Sequence, residues 1–209
     1  ESLRQDLLSH PLEELAEVIA AALSGGLSLM GTTEAVSLSA SETFTRGEST
    51  NPMGIHAMTG ANALRWVCKS FPALGARGLL FWTLGPETQS GVDLEALSPP
   101  DGRSSIEEIR EAIVRNDAKV AADRTRAYCG AGGDADRLVA ELGLWAARDS
   151  ATEMHGMKHH QGMVEEFRST GSPDASMHLV AQAREAALHA RKDTTVLDRA
   201  SERLKLEAI

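Results

Sequence analysis

Pro11 is followed by Leu12-Glu13-Glu14-Leu15-Ala16-Glu17-Val18-Ile19-Ala20-Ala21-Ala22-Leu23, which places Leu12, Leu15, Ile19 and Leu23 on one helical stripe. Acidic side chains fill its first turns and Gly25-Gly26 closes it, as the helix dipole and the C-cap favour. The same texture recurs along most of the chain. Alanine and leucine dominate, aromatic residues make up only 4%, and apolar/polar alternation is scarce, so strands find little support. The sequence predicts an all-α fold, a helical bundle. Asn51-Pro52 starts a helix running through Ile55, Met58, Leu64, Trp66 and Val67 to Pro72, and Leu79 to Trp82 ends at Gly85-Pro86. Gly85 to Arg103 reads as a long loop. Ser105 and Glu108 then fit a capping box for a helix reaching about Tyr128. Asp134 or Asp136 starts the longest run, to about Arg168, followed by a helix from Ala175 to Arg191 and an amphipathic piece from Thr194 to Glu207. Leu27 to Thr50, rich in Ser, Thr and Gly, reads as mostly loop with some helix.

At 209 residues, the chain fits one all-α domain spanning 1–209. Within it a pseudo-repeat covers 11–85 and 134–192. Ile55-His56-Ala57-Met58 and Met154-His155-Gly156-Met157 share an apolar–His–small–Met pattern, each after an Ala-rich amphipathic segment. If the repeat is real, His56 and His155 hold equivalent places facing a shared axis; otherwise the match is a coincidence of composition.

Thirty acidic against 21 basic side chains give a net charge of −9, and no Lys/Arg cluster offers a phosphate-binding surface, which argues against nucleic acid. No apolar run suits a membrane span, and Glu1 to Gln5 lacks the order of a signal peptide. Cys68 and Cys129 are too few for a disulfide framework or a thiolate zinc site and read as thiols of a reducing, cytoplasmic environment. The final amphipathic piece, with Val196, Leu197, Ala200 and Leu204, suits either a homo-oligomer contact or closure of its own bundle. Phosphate-loop, dinucleotide and serine-elbow motifs are absent.

Histidines carry the densest chemical signal. His155 and His159 stand at i and i+4, the spacing by which one helix offers two imidazoles to a metal ion, with Glu153 and Glu165 flanking them. His56 or an acidic residue elsewhere would complete that set; the alternative is a partly exposed polar face with one buried histidine. After His56, the residues Thr59, Gly60, Asn62 and Arg65 supply a hydroxyl, a point of close approach, an amide and a fixed cation. They serve either a ligand or a helix crossing at Gly60. Trp66 offers a flat face to an aromatic substrate or cofactor, and Asn62 an amide beside it, although tryptophans at helical spacing are also core residues.

The segment His56-Ala57-Met58-Thr59-Gly60-Ala61-Asn62-Ala63-Leu64-Arg65 resembles a motif of questin oxidase-like proteins, as does His155-x-x-Lys158 followed by Ser172-Pro173-Asp174. That resemblance implies a largely helical protein and an oxygen-dependent, Baeyer–Villiger-type opening of a polyketide anthraquinone with a nicotinamide cofactor (NADPH) as reductant. It also implies that His56 and His155 line the site, with Arg65 and Lys158 as cations near a carbonyl or phenolate. Two functional expectations follow. One is an oxidoreductase acting on a small aromatic or carbonyl-bearing molecule. The other is a non-enzymatic helical module holding a metal, a haem-like cofactor or a small ligand.

Overall fold

The computed structural model describes residues 2–47, 54–83, 102–149, 155–189 and 201–205. All regular structure among them is helical, as expected. None of these helices is long and apolar enough to cross a bilayer. The chain divides into two compact units, Glu1–Ala96 with Glu165–Met177, and Leu97–Val164 with His178–Ile209. The 11–85 copy of the pseudo-repeat lies inside the first unit, whereas 134–192 draws on both.

Unit 1 holds α1 (Ser2–Ser9), a 3₁₀ turn (Leu12–Glu14), α2 (Leu15–Ser24), α3 (Leu29–Arg46), α4 (Gly54–Ser70) and α5 (Pro72–Trp82). Leu15 and Ile19 on the predicted stripe of α2 are buried, and Gly26 leaves that helix at φ +95°, where a side chain would be strained. The Ser/Thr-rich stretch expected to be mostly loop is instead the 18-residue helix α3. Ser28 caps it, its Oγ accepting from the Gly31 amide at 3.0 Å. Hydroxyls that would compete with a helix in water bond back along it: Thr32 to the Ser28 carbonyl, Thr33 to Leu29, Thr45 to Ser41. Val36, Leu38, Ala40 and Phe44 are buried, and this packing outweighs the weak propensity. α3 packs on α1 and α4, and α4 on α5.

Unit 2 holds α6 (Ile106–Val114), α7 (Ala118–Gly130) and α8 (Ala135–Arg148), together with His155–Val164 of α9 (His155–Ser169) and nearly all of α10 (Met177–His189). The Ser105/Glu108 capping box is formed as expected. The single helix expected from there to Tyr128 is in fact broken at Asn116, which adopts φ +57° and donates from Nδ2 to the Ala187 carbonyl at 3.0 Å. Asparagine tolerates that left-handed conformation better than most residues, and Asp117 at once caps α7 through the Val120 amide. Ile109, Ile113, Leu138, Leu142 and Leu179 form the apolar core.

Candidate functional site

α10 is buried at every position from Met177 to Ala187, yet it is not wholly apolar. His178, Gln182, Glu185 and His189 recur at intervals of four, three and four residues, so they form one polar stripe along a helix otherwise rich in Ala, Val and Leu. Burying such groups is costly unless they find partners. Glu185, 1% exposed, is the hub. Its Oε1 lies 2.8 Å from His189 Nδ1, one turn on. Its Oε2 accepts from Gln182 Nε2 at 3.3 Å and lies 4.0 Å from His159 Nδ1 on α9. The Gln182 Oε1 on the same amide is buried and has no hydrogen-bond partner among the described residues.

Asp149, half-buried at the end of α8, adds a second carboxylate. One donor atom each from Asp149, Glu185 and His189 lie within 4.8 Å of one another. Tetrahedral bonds of the length zinc makes to imidazole and carboxylate put adjacent donors roughly 3.4 Å apart, so the His189–Glu185 pair, hydrogen-bonded at 2.8 Å, needs only a small opening to flank one ion. Gly156 makes room for this arrangement, since a Cβ there would come within 2.8 Å of Asp149 Oδ2. Burial, reinforced by His160, His189 and His178, pushes the His159 pKa down to about 3, so its imidazole is neutral near pH 7, the form that ligates metals. Among the described residues, no Lys or Arg pairs with Glu185. Two carboxylates and an imidazole thus converge beside the neutral ring of His159.

No protein-family model, curated protein or solved structure matches the chain.

The residues singled out from sequence are distributed between the units. His155 and His159 share α9 as expected, but only His159 is fully buried and close to Glu185; His155 is half-buried and Lys158 exposed. Glu153 lies outside the described residues. In unit 1, His56 is half-buried on α4. Arg65 on that helix is committed to Glu166, donating from Nε at 2.8 Å and Nη2 at 2.7 Å, while Asn62 Nδ2 donates to Glu165 and Glu166. Trp66 is 63% exposed and meets Phe71 edge to face. Gly60 is a contact point for the Trp82 indole, whose Nε1 donates to the Ala57 carbonyl. Both thiols are shielded: burial raises the Cys68 pKa and pushes that of Cys129 up to about 11. Sequence reasoning missed Asp149, Gln182, Glu185 and His189. The stripe on α10 was the available signal, a polar row at positions where an Ala-rich core helix would carry apolar residues.

Proposed function

We propose that this protein is a helical metal-binding protein whose unit 2 holds a divalent transition-metal ion through Asp149, Glu185 and His189, with the neutral His159 beside them. The carrying observation is the convergence of Asp149 and His189 on Glu185, a carboxylate that is 1% exposed and, among the described residues, has no Lys or Arg partner. Imidazole among the donors favours a transition metal over magnesium or calcium, which prefer all-oxygen sets. Gln182 donates to Glu185 and orients it, as outer-shell partners of ligating carboxylates do.

Purified protein stripped with a chelator should take up one Co²⁺ per chain with visible d–d absorption. Glu185→Gln and His189→Gln should each abolish that spectrum. Absence of uptake, or equal uptake by both variants, overturns the reading. An oxidoreductase acting on a small aromatic or carbonyl compound, as the questin oxidase-like resemblance implies, would use a redox-active ion here. Iron or manganese retained on purification in preference to zinc favours that version.

A further inference from the structure

A second site lies wholly within unit 1 and stands independently of the metal reading. An open cavity of about 760 Å³ there is lined in part by Ser28, Met30, Arg65, Lys69, Pro72 and Ser169, a volume in the range of small-molecule sites. Arg65 and Lys69 stand at i and i+4 on α4 and so share one face. Ser28 is the N-cap of α3, Met30 belongs to its first turn, and Pro72 is the first residue of α5. Two helix N-termini and two cationic side chains therefore border one opening.

The polar groups there are of different kinds. Glu166 clamps two nitrogens of Arg65 and fixes the guanidinium plane; the side chain is 10% exposed, and its Nη1 has no partner among the described residues. A donor held this way loses little freedom when it engages a ligand. Lys69 is exposed and, among the described residues, unpaired, so its charge is uncommitted. Ser28 satisfies the Gly31 and Thr32 amides of α3, leaving those of Leu29 and Met30 without an acceptor among the described residues. The carbonyl end of α9 at Ser169 acts in the opposite sense and confines the favourable region to the α3–α4 side. Leu29, Cys68 and Pro72 give an apolar floor, with the exposed Met30 at its mouth.

We infer that this cavity binds a small organic anion, a carboxylate or phosphate group carried on an apolar body. The anionic oxygens face Arg65 Nη1, Lys69 and the first amides of α3, and the body covers Met30 and Pro72. Negative charge is favoured by the side chains and by the helix starts together, whereas a neutral ligand would gain only the floor.

The test is titration of the ¹⁵N-labelled full-length chain with benzoate, phenyl phosphate and the neutral benzyl alcohol, with and without chelator. At least one anion should shift the Leu29, Met30 and Lys69 amides saturably, and the tighter of the two identifies the preferred head group. Benzyl alcohol should bind at least about fivefold more weakly, and Lys69→Gln should weaken the anion by a similar factor. Met30→Asp, which sets a negative charge at the mouth, should weaken it further. Both variants lie on exposed positions, so folding is retained. The inference is overturned if neither anion shifts those amides, if benzyl alcohol binds as well, or if either variant binds like the wild type. A dependence on chelator would instead transfer the effect to unit 2.

Discussion

Glu166 and Glu185 are buried to nearly the same degree, 0% and 1% exposed, yet their surroundings differ in kind. Burial alone would raise the Glu166 pKa. The two hydrogen bonds and the charge of Arg65, with help from Asn62, outweigh that and hold the carboxyl below the ordinary range. Its counter-charge is covalently part of the chain. Glu185 is met by two imidazoles, an amide and a second carboxylate, none of them a permanent cation. A carboxylate with a built-in guanidinium is a fixed part of the architecture, whereas one surrounded by histidines takes its balancing charge from solution, as a proton or as an ion. That contrast separates the two buried carboxylates by the partners they keep.

The largest expected effect lies on the structural side. Arg65→Ala strands Glu166 in the interior and should cost about 3–5 kcal/mol in urea denaturation, irrespective of added metal. Arg65→Met with Glu166→Met should recover most of that. A cost near zero for the single variant would dissolve the contrast. Next in size is the response to metal. A divalent ion at a hundredfold excess over its Kd should stabilise the wild type by about 2.7 kcal/mol, and this gain should vanish in Glu185→Gln. Metal-free, that variant should be no less stable than the wild type by more than about 1 kcal/mol, because the amide is nearly isosteric and carries no formal charge into the interior.

The third measurement is stability against pH in the metal-free protein. The folded-state pKa of His159 is depressed to about 3 from 6.5, so between those values the unfolded chain binds the extra proton. Its contribution is complete above pH 6.5 and is lost as the pH falls toward 3, with a slope approaching about 1.4 kcal/mol per pH unit. His159→Gln should flatten this limb of the urea-midpoint profile. An unchanged profile would mean that His159 is protonated within the fold. The smallest effects concern two glycines. A Cβ at Gly60 would meet Trp82 at 3.5 Å, an ordinary contact, so Gly60→Ala should be neutral or stabilise by up to about 1 kcal/mol through helix propensity. Gly156→Ala forces Asp149 aside and should weaken Co²⁺ binding while altering thermal stability little.

Much of the helical architecture was legible because it rests on local signals: the stripe of α2, the Gly25-Gly26 stop and the Ser105/Glu108 box each act within a few residues. α3 was misread because its hydroxyls favour loops in isolation, and only burial against α1 and α4 reverses that preference. The break at Asn116 went unseen because asparagine is compatible with either reading until the Ala187 carbonyl supplies a tertiary partner. The i, i+4 spacing put His155 and His159 on one helix face, but which of the two rings is buried depends on packing that the spacing does not encode. The commitment of Arg65 was not legible, since Glu166 lies 101 residues away and nothing local announces the pair. The α10 stripe is periodic in the sequence, but a polar row at that spacing is ordinarily a solvated face, and only the tertiary packing buries this one.

Because α10 is shut off from water along nearly its whole length, its backbone amides can exchange with deuterium only when the surrounding structure opens broadly. Slow exchange there would make this helix an internal gauge of cooperative opening. An ion seated on Glu185 and His189 should slow it further, while the exposed end of α1 keeps its own faster clock.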